Sequence, residues 1–475
     1  MSVANKIFTN TIWQMSIRAV NILIGVFSIA LITRMFGSTG YGFYTTTTAF
    51  VQIFMILADL GLYLTLLREI SKAKDGQEEN KIINNIFTIR VLFSILVLIL
   101  IPVAIQFFPY APIVKTGVIY FMGALFFQSL ITTITAVFSK KLEMHKVAIT
   151  DLVQKVFYFA GLVYFFYNAN SLNIILGANS ITTGIGFLII LYFLRKHTKL
   201  RLAWDFAYWK KIFYVAWPLA ITVVLNLLYF KADTLVLSGF HSPETVGIYG
   251  APYRVLEVIS TFPHMFLSLI LPLLTAAWVN KNTKKFNEIL QHNFDFFSIL
   301  IMGMIALLLL ISKPLMITLA GEEFAASGPI LNLLVVATAS IFYGTLFTYA
   351  IVSLGKQKQM VKYFLITAVV GMLGYFIFIP PFSYWGAAGM TLVVELLMVG
   401  FAWHVVKKNI DVSLNLKVFM KALLAGVATF IIAWFTKGPT IWLTTLTVVL
   451  IYPFILYLLK VTDRASLKML IFGKK

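Results

Sequence analysis

The chain has 475 residues, of which 60% are hydrophobic and 12% charged. Soluble domains average about 45–50% apolar and about 25% charged residues, so there is too little polar surface here to cover a soluble core. An aromatic content of 15% excludes a disordered chain. The absence of cysteine excludes disulfides, thiolate metal sites and a cysteine nucleophile. The net charge of +20 has two readings: a nucleic-acid partner, or cytoplasmic loops rich in Lys and Arg.

A bilayer-spanning helix needs about 20 apolar residues. Fourteen stretches qualify, at roughly 11–33, 43–66, 84–107, 116–138, 148–167, 172–194, 212–239, 246–276, 293–312, 328–354, 363–380, 386–406, 418–436 and 441–460. No long hydrophilic segment lies between them. With the N-terminus inside, the inner segments collect Arg68, Lys72, Lys74 and Lys81, then Lys140, Lys141 and Lys146. Further along they collect Arg195 to Lys211, Lys281 to Lys285, Lys356 to Lys362, Lys407 to Lys421, and the tail. The outer loops hold only Arg34, Lys115, Lys313 and Lys437. A missed span would invert this alternation, so the positive-inside pattern predicts fourteen spans with both termini cytoplasmic. It also accounts for most of the basic excess without nucleic acid. The stretch WDFAYWKKIFYVAW at 204–217 has the composition of a membrane interface, and the tail ASLKMLIFGKK suits the inner surface.

Polar residues inside spans face protein or water. In span 1, Asn10, Gln14, Arg18, Asn21, Gly25 and Ser28 share a helix face, as do Thr45, Thr48, Gln52 and Asp59 in span 2. Span 7 carries Pro218, Thr222, Asn226, Tyr229 and Asp233, and span 8 carries Gly250, Arg254, Glu257, Thr261, His264 and Ser268. A weaker stripe in span 4 holds Gln128, Thr132, Thr135 and Ser139. Such stripes also arise where helices hydrogen-bond one another. Here the strongest four fall on the first two helices of two six-helix halves, which points to a polar cavity. The expected plan is all-α: an N-terminal six-helix lobe at 1–200, a second at 201–410, and two appended helices with the tail at 411–475. The halves share a short repeat, Gly42-Phe43-Tyr44 and Gly247-Ile248-Tyr249, as parallel repeats about the membrane normal would.

A charge at mid-membrane costs at least about 2.5–3.5 kcal/mol on insertion scales. Arg254 with Glu257, and Asp151 with Lys155, are spaced to neutralise each other. Arg18, Arg90 and Lys155 sit near enough to inner helix ends to snorkel. Arg18 also lies on the polar face of span 1. Lys231, Asp233, Asp59 and Glu395 have no obvious local partner, and Asp59 and Glu395 could pair with Arg18, Lys231 or Arg254. Several retained cations suit an anionic substrate, and phosphate or diphosphate fits Arg best. Pro218, Pro263 and Pro272 can kink the cavity helices. No GxSxG, phosphate loop or metal-spaced cluster occurs, so neither catalysis, a metal nor a cofactor is expected.

RMFGSTGYGFYTTTTAF (34–50) with ADLGL (58–62) resembles the first helix pair of Wzx-type polysaccharide flippases. KADTLVLSGFHSPETVGIYGAPYRVLE (231–257) resembles their span 7–8 region. LGKQKQMVKYFLITAVVGMLGYFIFIPPFSYWGAAGMTLVVE (354–395) resembles spans 11–12. These flippases belong to the multidrug/oligosaccharidyl-lipid/polysaccharide exporter superfamily. The resemblance implies two six-helix lobes, location in the cell membrane, and transfer of polyprenyl-diphosphate-linked oligosaccharide to the outer leaflet. It implies as partners the lipid-linked substrate, membrane lipids, and a polysaccharide polymerase or assembly proteins. Stripe position then assigns Arg18, Lys231 and Arg254 to the diphosphate, and Gln14, Asn21, Gln52, Asn226 and Tyr229 to sugar hydroxyls. Asp59, Asp233, Glu257 and Glu395 complete the cavity set, with Arg90 and Lys155 as secondary candidates. A lipid II-type flippase and a cation-coupled multidrug exporter of the same superfamily are the alternatives.

Overall fold

The computed structural model describes residues 3–168, 171–436 and 440–461, with the side chains of 3–15, 56, 215 and 217–230 outside that description. Every regular element among the described residues is helical. In order they are α1 (Val3–Asp59), α2 (Leu62–Lys72), α3 (Gly76–Ala104), α4 (Pro112–Lys140), α5 (Met144–Asn168), α6 (Leu172–Leu194) and α7 (Phe206–Phe240). There follow α8 (Pro243–Val279), α9 (Thr283–Ala320), α10 (Ser327–Ser353), α11 (Val361–Asn409), α12 (Lys417–Thr436) and α13 (Ile441–Leu458).

Among the described residues, eleven helical segments are long and apolar enough to cross a membrane. Two of the helices far exceed one bilayer. The 57 residues of α1 would reach about 85 Å if straight, against about 30 Å of hydrocarbon. Instead α1 breaks at Gly37 (φ 62°, ψ −169°), in a region of backbone space that glycine enters without a Cβ penalty. The 49-residue α11 breaks at Ser383 (φ 53°, ψ −135°), just past Pro380 and Pro381. Two consecutive prolines remove two backbone donors and disrupt the helical ladder there.

Side chains mark where the loops hand over to helices. Asp75 accepts a hydrogen bond from the Glu78 amide at 2.8 Å, and Glu78 in turn accepts from the Lys74 amide at 2.8 Å. That reciprocal cap opens α3. Asp205 opens α7 by accepting from the Tyr208 amide, and Asn282 opens α9 by accepting from the Lys285 amide.

The chain forms two compact units: Met1–Gly250 with Met372–Tyr384, and Ala251–Gly371 with Trp385–Lys475. In the first, Leu62, Leu66 and Ile70 of α2 pack with Ile82, Ile86 and Ile89 of α3 and with Ile134, Val137 and Phe138 of α4. Helix α3 shows the inside-out logic of a membrane helix. Its face bearing Leu92, Ile95, Ile99 and Val103 is exposed, while Arg90, Ser94, Val97 and Ile101 are buried. In the second unit, Phe286, Phe297, Phe342 and Leu346 anchor the core. Helices α12 and α13 attach to α9 there. Ala422 and Ala425 pack against Met302, a Cβ on Gly426 would sit 3.1 Å from the Met302 carbonyl, and Tyr452 donates to the Ile299 carbonyl at 2.6 Å. Small residues permit that close approach, and a hydrogen bond fixes it.

Candidate functional site

The sequence-predicted residues separate into four groups. The first lies where α1 ends. Leu60 (φ 40°) and Gly61 (φ 71°) turn the backbone, and the Gly61 amide donates to Asp59 at 3.3 Å. Arg90 of α3 is 1% exposed. It donates to Asp59 Oδ1 at 2.5 Å, to Thr133 Oγ1 at 2.8 Å and to the Ala58 carbonyl at 2.7 Å. Arg90 therefore does not snorkel. It is held inside the protein by three acceptors, and it pairs with Asp59 in place of Arg18, Lys231 or Arg254. A guanidinium meets its geometry best with several fixed oxygens, and Thr133 and Ala58 carried no signal of this role in the sequence.

The second group lies between α1 and α5. Lys155 donates to the Asn21 carbonyl at 3.3 Å. Asp151, one turn earlier on α5, feels the charges of both Lys155 and Arg18. Asn21 is buried, and its side-chain oxygen has no hydrogen bond among the described residues. Arg18 itself is exposed. Lys155 and Arg18 thus both act on the Asp151 carboxyl through charge, and Lys155 ties this turn of α5 to the Asn21 backbone. The i,i+4 spacing announced Asp151 with Lys155, but the approach of Arg18 needed the fold.

The third group sits where α7 gives way to α8. Asp233 is fully buried and accepts from the Tyr249 hydroxyl at 2.6 Å and from the Thr234 amide at 2.6 Å. Lys231 contributes its charge nearby. Tyr249 closes the second Gly-x-Tyr repeat, and the glycines of the two repeats meet. A Cβ on Gly42 would fall 1.7 Å from the Pro243 carbonyl oxygen, and one on Gly247 would fall 1.9 Å from that of Ser38. Backbone packs directly on backbone at this crossing, so only glycine fits at either position.

The fourth group is in the second unit. Arg254 and Glu257 form the expected ion pair at 2.5 Å, with Arg254 half-exposed. Glu395 of α11 is buried at 6% exposure. Gln52, in the first unit, is half-buried. Gln14, Asn226 and Tyr229 lie outside the described side chains. No group of three metal-ligating side chains occurs among the described residues. Together these groups place charged and hydrogen-bonding side chains within long apolar helices.

Such helices define a multi-pass protein of the cell membrane, and its fold is that of the flippase and drug-exporter superfamily. The structure matches that of the lipid II flippase MurJ in an inward closed conformation with a TM-score of 0.80, at 14% identity, over 94% of this chain and 98% of that one. Residues 7–278 match the family described as polysaccharide biosynthesis protein, and the chain belongs to that family. It is 26% identical over 254 residues to the capsular polysaccharide biosynthesis protein CapF of Staphylococcus aureus, covering 52% of this chain and 64% of that protein. It is 23% identical over 368 residues to a Shigella flexneri protein named "Putative O-antigen transporter", covering 74% of this chain and 86% of that one.

Proposed function

We propose that this chain is a flippase. It carries polyprenyl-diphosphate-linked oligosaccharide from the inner to the outer leaflet for surface polysaccharide assembly. On this reading the chain crosses the membrane fourteen times with both termini cytoplasmic, α1 and α11 each supplying two crossings. Two six-helix lobes, 1–200 and 201–410, enclose a polar cavity, and 411–475 adds two helices and the tail. Alternating access moves the headgroup through that cavity while the isoprenoid tail stays in the bilayer. The lipid-linked glycan is the partner of the cavity, and the polymerase that consumes it is the partner downstream.

The observation that carries the reading is the group formed by Arg18, Lys155 and Asn21 within a membrane fold of the polysaccharide family. Its two cations against the single carboxylate of Asp151 suit a diphosphate. The amide oxygen of Asn21, which lacks a hydrogen bond among the described residues, suits a sugar hydroxyl. Arg254, Lys231 and the carboxylates Asp233, Glu257 and Glu395 extend the proposed cavity, with Gln14, Gln52, Asn226 and Tyr229 for further hydroxyls. The Asp59–Arg90 pair is structural in this proposal, because its hydrogen bonds are spent within the protein.

The test uses cells deprived of their own flippase and expressing this chain. Parent protein restores surface polysaccharide. An Arg18→Ala, Lys155→Ala variant made at the same level loses at least about tenfold, since a charged hydrogen bond contributes about 1.5–3 kcal/mol. Full restoration by the double variant would remove the cationic group from the mechanism.

A further inference from the structure

The two arms of α11 are clasped at their basic end. Gln359, just before α11, and Asn409, its last residue, exchange amide hydrogen bonds at 3.2 and 2.9 Å. One step further in, Tyr363 stacks on Phe401 with ring centroids 4.7 Å apart. On the second arm Val393, Leu396, Leu397, Gly400, Phe401 and His404 recur at three- and four-residue steps and form one face. With Tyr363 they line an open groove of about 650 Å³. Its walls are apolar and outward-facing: Val393 is 43% exposed and Leu396 53%. A Cβ placed on Gly400 meets nothing within 4 Å, so the glycine leaves a trough in the wall.

The same helical step continues from His404 to Lys407 and Lys408, both exposed. Lys362 brings a third ammonium from the other arm, 4.7 Å from the centre of the Tyr363 ring. The groove is therefore apolar along its length and cationic at one end. That end carries the lysines expected on the cytoplasmic side.

We propose that this groove seats the isoprenoid chain of a polyprenyl diphosphate lipid, with the diphosphate at Lys362, His404, Lys407 and Lys408. Charge complementarity selects this occupant. An ordinary anionic phospholipid brings one phosphate, whereas the positive charges of three lysines at one end of the groove answer two adjacent phosphates. Apolar contact with the chain supplies the remaining affinity, as buried apolar area does in any site. The inference deepens the proposed function and rests on it for the identity of the lipid. It adds a place on the protein's flank where the substrate is held by tail and headgroup together.

Two variants of the full-length chain test it. Gly400→Phe fills the trough from a position where the first added carbon meets nothing. Lys407→Gln with Lys408→Gln strips the rim and leaves the groove, so it decides the matter if the first variant does not fold. Native mass spectrometry of the purified protein reads retained polyprenyl diphosphate against phosphatidylglycerol. The expected result is at least a tenfold loss of polyprenyl diphosphate in each folded variant, with phosphatidylglycerol unchanged. Equal retention of the two lipids by the parent, or undiminished polyprenyl diphosphate in the variants, would overturn the proposal. Leaflet transfer by the parent, measured in parallel, separates the two ideas. Retention that depends on the groove without transfer keeps the site and sinks the flippase reading. Transfer without such retention does the reverse.

Discussion

A fully buried guanidinium is tolerable only if its donors are met, and Arg90 shows how. Its ion pair with Asp59 and its bonds to Thr133 and the Ala58 carbonyl replace the water it has lost. Breaking a buried pair by removing one partner costs about 3–5 kcal/mol, because the other charge is left uncompensated. Asp59→Asn is therefore expected to lower unfolding stability in detergent by about that amount. Adding Arg90→Gln to it should cost less than the sum of the single changes. Additive losses would show that the two side chains act independently. The sequence marked both residues as anomalous charges within spans, but their partnership joins positions 31 apart and depended on how α3 docks at the end of α1. The Arg254–Glu257 pair was legible because helical spacing alone brings such residues together.

At the scale of elements, the connection from α6 to α7 is strapped along the first turns of α3. Asn80 accepts from Thr198, Asn84 from the Arg201 amide, and Thr88 from the Ala203 amide. Asn85 accepts from both the Asp205 amide and the Trp209 indole. Beside this strap the α4–α5 turn is tied to the end of α6, where Glu143 meets His197 at 2.7 Å and Lys146 at 2.5 Å. Burial pushes the Glu143 carboxyl up, but hydrogen bonds and charge from Lys146 and His197 outweigh it and hold the group below the ordinary carboxylate range. A carboxylate with a depressed folded pKa adds stability above its unfolded value, near 4.3, and loses it as pH falls through the folded value. Glu143→Gln should therefore melt below the parent at pH 7, with the gap closing below about pH 4. A gap of constant size across that range would contradict the clasp. The helices themselves were legible from hydrophobic length. The strap was not, because Asn80, Asn84, Asn85 and Thr88 read as a polar helix start until the linker lies against them. The breaks at Gly37 and Ser383 fall between predicted spans, where the sequence placed connections, and each is a sharp kink rather than an extended loop.

For the molecule as a whole, composition and loop charge defined the class before any contact was known. The Gly-x-Tyr segments were legible only as a repeat, and the packing of their two glycines backbone to backbone was not. The candidate site was legible as a set of intramembrane charges but not as an arrangement. Span 1 announced Arg18 and span 5 announced Lys155, yet only packing of α1 on α5 makes them neighbours of Asp151. The central claim is transfer of a lipid-linked glycan between leaflets, and it is tested most directly with purified protein in liposomes. A labelled polyprenyl-diphosphate oligosaccharide is placed in one leaflet, and a membrane-impermeant reagent reports its arrival in the other. Transfer well above empty liposomes, lost in the Arg18→Ala, Lys155→Ala variant, is the predicted result. No transfer of any such lipid, together with transport of a soluble organic cation, would contradict the flippase assignment and place the protein among the drug exporters.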